Sequence, residues 1–427
     1  MASSVFSAVI LTGVGLASIA LTAASAGAAD MAAKGAAPAA PERCKVAIST
    51  PAFGGIIKQN PDPACMMIDG FGEVYFGGAL SGYGFTQTNQ FPRPTEISRL
   101  PSDEKSRIDL SNAMIWIQKA DGPVQFFVQG GAYSIPTLGL PIFGTADQTK
   151  LLFGVLPVAY GKVVFNDAWS IQAGRMPTLI GSEAPFTFQN INIQRGLLFN
   201  QENIINHGVQ LNYSEGPVSV SVAGTDGFFS GTISWLTGAA TYKLDDNNTI
   251  GVNGGYNAGR TNVLNQSPRF QYTTPQLTQN SSIVSVNYTY TNGPLTITPY
   301  IQYTSVERDL KLNITRGTNT YGAAVLASYA FTDNFALAGR VEYIEQSGKP
   351  RSGTTSLLYG PGSAAWSFTI TPTYTVDRFF LRGEYSRVEL ANITRGDITT
   401  GGLGTGFGRS GNKSEQDRYM LETGFTF

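Results

Sequence analysis

The side chains in this sequence that could do chemistry are a few charges set within otherwise uncharged, alternating segments. The stretch ALAGRVEYIE carries Arg340 and Glu342 two positions apart, and FFLRGEYSR carries Arg382 and Glu384 at the same spacing. A spacing of two places both charges on one face of a β-strand. Two roles remain open for such a face: an ion-pair lattice that stiffens a wall, or an electric field across an aqueous opening.

A second group of charges lies in the segment 177–206, which is rich in Ile, Leu and Phe. Exposing so many apolar side chains to water would be costly, so this segment needs a surface on which to pack. If that surface is the inside of a barrel, Glu183, Arg195 and Glu202 become candidates to line the remaining opening. The alternative is an outward-facing loop at an interface between subunits.

Residues suited to catalysis or metal binding are scarce. His207 is the only histidine, no nucleophile motif accompanies it, and the chain has only two cysteines. These ligands are too few for a metal site, and a catalytic histidine would have to be His207 itself. We therefore expect no metal, no cofactor and no enzymatic activity. The formal net charge of −1 argues against nucleic acid as a partner.

Composition indicates what kind of element positions these charges. Only 14% of the 427 residues are charged, while 42% are hydrophobic and 49 are Gly. This mixture is too polar for a helical membrane protein and too poor in charge for a soluble enzyme of this size. It suits a sheet with one face toward lipid and the other toward water.

Many segments alternate with a period of two. Val284, Val286 and Tyr288 alternate with Ser285 and Asn287, which predicts a strand with one apolar and one polar face. Short turns rich in Asn, Asp or Gly separate such segments at 120–123, 165–168, 214–217, 244–248, 291–294, 331–334 and 375–378. Longer polar stretches lie at 84–106, 134–150, 177–206, 225–231, 258–280, 305–317, 346–362 and 391–415.

Seven short turns that alternate with eight long loops require sixteen strands, to within two. We therefore predict an all-β fold: a transmembrane antiparallel β-barrel with short periplasmic turns, long extracellular loops and both chain ends on the short-turn side. A soluble β-sandwich would also alternate with a period of two. It is disfavoured because sixteen strands exceed an ordinary sandwich and the polar faces carry hydroxyls and amides rather than Lys and Glu.

The final residues, RYMLETGFTF, indicate how the barrel closes. Tyr419, Leu421, Phe425 and Phe427 share one face of the predicted last strand. An exposed apolar edge strand invites aggregation, whereas in a closed barrel the last strand pairs with the first and the edge disappears. We also expect these four residues to form the C-terminal signal that the outer-membrane assembly machinery reads.

The N-terminal part predicts export. Residues 1–29 combine an apolar run with small-residue cleavage sites, which is typical of a signal peptide although Lys and Arg are missing before the run. An uncleaved membrane anchor is the alternative. Residues 30–65 form an Ala/Pro-rich periplasmic tether, and the barrel is expected over 66–427. In an oxidising compartment Cys44 and Cys65 are expected to form a disulfide, with two free thiols as the alternative.

The segment 173–209 resembles the β-barrel porins called OmpL-like, whose members carry Gly-Arg/Lys…Thr-x-Ile-Gly, then Asn and Arg before Leu-Phe, then His and Gly. The pieces GRVEY and LRGEY resemble later strands of that family, and the likeness covers most of the chain from about residue 69. The cysteine-bearing segment instead resembles the loop ahead of the first strand in alphaproteobacterial porins. The matching residues are Gly174, Arg175, Thr178, Ile180, Gly181, Glu183, Asn192, Arg195, Leu198, Phe199, His207 and Gly208.

The resemblance implies a pore of the bacterial outer membrane, surrounded by lipid and lipopolysaccharide and often assembled as a homotrimer. We expect a water-filled channel for passive diffusion of small polar solutes and ions, constricted by the loop 177–206. The alternative is a non-conducting barrel that presents its loops as an adhesin or a structural anchor. A polar, Gly-rich inner face favours the water-filled pore.

Overall fold

The computed structural model describes residues 57–60, 62–91, 103–259, 281–310, 314–349, 354–397 and 402–427. Neighbouring strands in it are antiparallel throughout. The strands are β1 (Ala64–Ile68), β2 (Gly72–Gln87), β3 (Ser106–Lys119), β4 (Val124–Tyr133), β5 (Val158–Val164), β6 (Trp169–Pro177), β7 (Ile205–Glu215), β8 (Val218–Thr225), β9 (Trp235–Lys243), β10 (Asn248–Asn257), β11 (Ser281–Asn292), β12 (Leu295–Val306), β13 (Thr318–Ala330), β14 (Phe335–Gln346), β15 (Ala364–Val376), β16 (Phe379–Ala391) and β17 (Glu415–Thr426).

Strands β2 to β17 form a closed barrel of sixteen strands. The ring closes where β17 pairs with β2, from Arg418 opposite Gln87 to Thr426 opposite Ala79. The short strand β1 pairs with the first residues of β2, which precede the part of β2 that pairs with β17. The predicted fold class, a transmembrane antiparallel barrel of about sixteen strands, is confirmed.

Strand connections follow the predicted alternation of short and long. Within the barrel, turns of two to four residues join β3 to β4 and every second pair of strands after it, up to β15 and β16. The other connections between barrel strands are longer. The connection between β4 and β5 runs to residue 157 and contains the helix α1 (Thr145–Leu151), whereas the sequence predicts its end near 150. Among the residues described, no helix is both long and apolar enough to cross a membrane.

Side chains alternate between the outside and the inside of the barrel. On β11, Val284 and Val286 are exposed on the outer face, whereas Ser285 and Asn287 are buried on the inner face. Lipid outside and a polar interior account for this pattern. The four predicted signal residues of the C-terminal segment lie on the outer face: Tyr419, Leu421, Phe425 and Phe427.

The seam between the first and last strands ends at Phe427. The backbone N–H of Gly78 donates to the carbonyl of Phe427 at 2.9 Å, and the Phe427 N–H donates back at 3.0 Å. The Phe427 ring lies directly over Gly78, where a Cβ would approach the ring to 2.2 Å. Glycine at this position therefore makes room for the terminal aromatic ring at the seam.

The chain ahead of β1 enters the short-turn end of the barrel. Ile57 is only 3% exposed and shares a small cavity with Asn190, Ala338 and the inner wall. The Thr426 hydroxyl donates to the carbonyl of Lys58 at 3.1 Å. The predicted signal peptide, most of the tether and Cys44 lie outside the described residues, and the disulfide to Cys65 of β1 stays a prediction.

Candidate functional site

The long connection between β6 and β7, residues 178–204, folds into the barrel, and we call it the inner loop. It reaches strands on different sides of the wall: the Asn192 side chain donates to Thr371 of β15 at 2.8 Å, and the Gly181 N–H donates to Asn253 of β10 at 3.0 Å. An outward loop at a subunit interface does not fit these contacts. The loop's buried apolar side chains include Phe186, Phe188, Ile193, Leu197, Leu198 and Phe199.

Aromatic packing holds one part of the inner loop against strands β3 and β4. The Phe188 ring stacks on Trp116 of β3, with ring centroids 5.8 Å apart. The Phe186 ring meets Tyr133 of β4 edge to face at 5.2 Å. Burial of such large rings supplies the main driving force for placing the loop inside, because exposed rings would be costly in water.

Glu384 of β16 binds the tip of the inner loop through its backbone. The carboxylate accepts the N–H of Ile193 at 2.5 Å and the N–H of Gln194 at 3.1 Å. It also accepts the Gln194 side-chain amide at 2.9 Å and the Thr371 hydroxyl at 2.8 Å. Hydrogen bonds to a charged acceptor are stronger than neutral ones, so Glu384 acts as an anchor for the loop.

Glu342 provides a second anchor on β14, two strands away from Glu384 on β16. Its carboxylate accepts the N–H groups of Leu197 and Leu198 at 2.9 and 3.3 Å, where the loop begins a 3₁₀ turn. The Ser367 hydroxyl donates to the same carboxylate at 2.7 Å. Two wall carboxylates therefore satisfy loop donors that would otherwise be buried without partners.

The arginines of the wall complete the network on this side. Arg340 pairs with Glu183 of the loop at 2.5 Å and with Glu342 at 3.2 Å. Arg382 pairs with Glu422 of β17 at 2.6 Å and donates to the loop carbonyls of Thr187 and Asn190 at 2.7 and 3.0 Å. The charges thus connect the loop to the wall.

Two further charged residues of this network were not singled out by the sequence. Arg418 of β17 donates to Gln87 at 2.6 Å, to the Thr137 carbonyl at 2.9 Å and to the Gln194 side chain at 3.0 Å. Glu422, four positions after Arg418, forms the ion pair with Arg382. The alternation of the C-terminal segment could have found both, because Arg418 and Glu422 share its inward face.

Arg195 stabilises the shape of the loop itself. Its guanidinium donates to the carbonyls of Ala184 and Pro185 at 3.3 and 2.8 Å, and also to the carbonyl of Ile193. The side chain is fully buried. The guanidinium therefore makes its hydrogen bonds to carbonyl groups of the loop. Replacing Arg195 would loosen the loop and also change the local electric field.

Glu202 lies at the other side of the inner loop, facing β12. Its carboxylate accepts the side-chain amide of Gln302 at 2.7 Å and rests against Gly181, where a Cβ would come within 1.8 Å of a carboxylate oxygen. Burial, first, and the neighbouring charge of Glu183 together raise the pKa of Glu202 to about 8. Glu202 belongs to the loop and not to a membrane-spanning strand.

The structure brings all seven predicted lining residues together around the inner loop, but it does not place them around an open channel. Each is at most 8% exposed, and Glu183 pairs directly with Arg340 instead of facing it across water. The reason is that unpaired charges in such a confined space are costly, so they bind each other and the loop backbone. The seven are Glu183, Arg195, Glu202, Arg340, Glu342, Arg382 and Glu384.

The single histidine takes part in a different cluster. One ring nitrogen of His207 lies 2.7 Å from the Asp226 carboxylate, and Arg175 donates to the other at 3.1 Å. The Arg175 guanidinium also lies over the Phe229 ring, 5.2 Å from its centre. No group of three or more potential metal-ligating His, Cys, Asp or Glu side chains occurs in the described part of the chain.

A closed sixteen-stranded barrel, apolar outside and crossed inside by a bonded loop, defines an outer-membrane barrel of the porin class. The family model described as "Putative beta-barrel porin-2, OmpL-like" matches residues 73–427. The chain therefore belongs to this family of porins, and it lies in the bacterial outer membrane.

Solved structures with the same fold are also outer-membrane proteins. A loop L8 deletion mutant of OmpT, an outer membrane protein of Vibrio cholerae, is 12% identical and covers 83% of this chain and 99% of its own, with a TM-score of 0.51. The outer membrane channel DcaP of Acinetobacter baumannii is 13% identical, with 83% and 97% covered and a TM-score of 0.51. An anion-selective porin from Comamonas acidovorans is 12% identical, with 83% and 99% covered and a TM-score of 0.51. At these identities the likeness shows the fold alone. No protein with a curated description matches the sequence.

Proposed function

We propose that this porin is a channel for passive diffusion of small polar solutes and ions, and that the inner loop sets its narrowest point. The observation that carries the proposal is the course of the loop, which is anchored to β14, β15 and β16 and also reaches β10 and β12. A sixteen-stranded barrel without such a loop would be a wide aqueous hole. Membership of a porin family favours a channel over an enzyme.

The inner wall supports the same proposal. Polar side chains without charge cover much of it, as Asn253, Ser285, Gln302 and Thr369 illustrate. Such a surface is wetted by water yet binds passing solutes only weakly, which permits entry and exit. Charged wall residues are paired in the network described above, so they shape the opening by holding the loop in place.

A second candidate function is a non-conducting barrel that presents its extracellular loops as an adhesin or anchor. One observation favours it: at the level of the inner loop, wall and loop side chains are buried against each other, with Ser285 and Arg340 each only 1% exposed. Conduction would then require the loop to move away from part of the wall.

Planar-bilayer recording of the purified protein separates these candidates. We expect single-channel currents from the parent and larger unitary currents after residues 182–200 are replaced by a short Gly/Ser linker. Heat-modifiable migration checks that both barrels are folded. A parent without current would support the adhesin or anchor, and a linker variant that conducts like the parent would show that the loop is not the constriction.

The remaining expectations about partners and processing also belong to the proposal. We expect export by the signal peptide 1–29, a periplasmic tether that ends at residue 65, and assembly into a homo-oligomer, with a trimer as the expected form. Lipid and lipopolysaccharide would contact the apolar outer face. The outer-membrane assembly machinery would recognise the aromatic C-terminal segment.

A further inference from the structure

The inner loop is bonded unequally to the two sides of the barrel. Toward β14–β17 it meets the anchors Glu342 and Glu384 and the arginines Arg340 and Arg382, all through charge-assisted hydrogen bonds. Toward β10–β12, the loop and wall bonds given by the described residues run from Gly181 to Asn253 and from Gln302 to Glu202. Charge-assisted bonds are roughly twice as strong as neutral ones, and most of them lie toward β14–β17, so this is the more firmly held side of the loop.

The weakly bonded side carries a patch of polar atoms that no described residue satisfies. On β11 and β12 the patch comprises the Ser285 and Thr304 hydroxyls, the Tyr300 hydroxyl and the side-chain carbonyl of Gln302, all on residues at most 5% exposed. Ser285 lies directly opposite Gln302 in the sheet, and Thr304 and Tyr300 are the inward neighbours of Gln302 along β12. The four groups are therefore contiguous. We call them the β11–β12 patch.

Buried polar groups in folded proteins are almost always hydrogen-bonded to protein or to water. A contiguous set with no partner among the described residues is the arrangement expected for a surface that water wets. Water and loop movement are thus both favoured at the same seam.

When Glu202 is ionised, it places a negative charge at this seam. Glu202 is the loop carboxylate that contacts β12, while Arg195 is bonded to loop carbonyls and Arg340 is paired with Glu183 and Glu342. Arg382 and Arg418 are bonded on the β14–β17 side. A cation at the β11–β12 patch would therefore meet the Glu202 carboxylate. Arg340 and Arg382 are paired with carboxylates, and the guanidinium groups of Arg195 and Arg418 donate to oxygens outside the patch.

We propose that ions and small solutes pass the inner loop between Glu202 and the β11–β12 patch, and that the ionised carboxylate of Glu202 makes this route favour cations. The inference rests on the proposed channel function. It adds the side of the loop on which the route runs and the sign of the charge that the route prefers.

Cysteine accessibility tests the route. Ser285→Cys places a thiol in the patch, and Ser386→Cys places one on the inner face of β16, where the parent serine accepts the Gln194 amide at 2.8 Å. The two serines are matched, since both are 1% exposed and face inward. Each folded variant is recorded in a planar bilayer before and after a positively charged methanethiosulfonate reagent, with the parent as the blank.

We expect the reagent to remove most of the current of Ser285→Cys and to leave that of Ser386→Cys unchanged. Block of Ser386→Cys, alone or equally with Ser285→Cys, would overturn the route, as would a conducting Ser285→Cys that the reagent does not affect. Thr304→Cys replaces Ser285→Cys if that variant does not fold. A parent without current would overturn the channel function itself, which is a different result from a conducting Ser285→Cys variant on which the reagent has no effect.

The charge preference has its own test in Glu202→Gln. The reversal potential in a KCl gradient is measured at about pH 9, one unit above the pKa of Glu202, so that the parent carboxylate is ionised. We expect the K⁺/Cl⁻ permeability ratio to fall about tenfold, because one unit charge about 6 Å from the ion at the dielectric of water favours a cation about threefold and disfavours an anion about threefold. An unchanged ratio, or a ratio that rises, would contradict the role of Glu202.

Discussion

The anchoring of the inner loop by Glu384 can be tested without any assumption about conduction. We predict that Glu384→Ala releases the loop tip from β16 while the barrel stays folded. In the parent, this 5% exposed carboxylate accepts the backbone N–H groups of Ile193 and Gln194 at 2.5 and 3.1 Å. Alanine has no acceptor, so both buried donors lose their partner.

The size of the effect follows from those two bonds. A buried donor left without a partner costs about 1–3 kcal/mol, so two donors would cost about 2–6 kcal/mol. Water can enter the gap that the side chain leaves, which favours the lower part of that range, about 2–4 kcal/mol. At about 1.4 kcal/mol per factor of ten, local opening of the loop tip should become roughly 30- to 700-fold more favourable.

Hydrogen exchange of the backbone amides measures this opening directly, because exchange of a protected amide reports its local opening equilibrium. The amides of Ile193 and Gln194 should exchange faster in Glu384→Ala by that factor. Glu389→Ala is the matched control: Glu389 lies on the same strand with its side chain outward and 60% exposed, where it pairs with Arg387. Its loss should leave the loop amides unchanged.

Equal exchange rates for residues 193 and 194 in the parent and in a folded Glu384→Ala barrel would refute the reasoning. The same conclusion would follow if Glu389→Ala accelerated exchange at the loop tip as much as Glu384→Ala, because the effect would then reflect the barrel as a whole and not the anchor.

Four further predictions concern the seam, the loop charge, assembly and the N-terminal segment. Gly78→Ala should lower the free energy of unfolding by about 1–3 kcal/mol in urea titrations, because the added Cβ would lie 2.2 Å from the Phe427 ring. Gly161→Ala is the control, since a Cβ at that position meets no atom within 4 Å. Equal losses of stability in the two variants would contradict the prediction. The K⁺/Cl⁻ permeability ratio of the parent should rise as the pH passes through about 8, the pKa of Glu202, because the side chain becomes charged there. Burial and the charges of Glu183 and Glu342 raise this pKa, and the hydrogen bond from Gln302 opposes them. The Glu202→Gln variant should show no such rise. Deleting Phe427 should slow assembly in heat-modifiability assays of membrane fractions, and an unchanged folded yield would speak against its recognition. Non-reducing peptide mass spectrometry should find Cys44 joined to Cys65, and alkylation of both thiols in native protein would show that they are free.

The amino-acid sequence by itself determined the barrel. A period of two, short turns such as 331–334 and an apolar C-terminal face are local properties, and each follows from the requirement that every strand meets lipid on one side and a polar interior on the other. For the same reason the sequence already placed Arg340 and Glu342 on the inner face of one strand. It also marked the inner loop as unusual, since its apolar side chains needed a surface.

Only the tertiary structure decided what those charges bind. Glu183 and Arg340 are 157 positions apart, and Ile193 and Glu384 are 191 apart, so no local pattern connects them. The loop brings them together because its aromatic rings pack against β3 and β4, which directs its backbone donors toward carboxylates on β14 and β16. In that confined space, pairing costs less than leaving charges apart, and the residues expected to line an opening form the bonds that hold the loop.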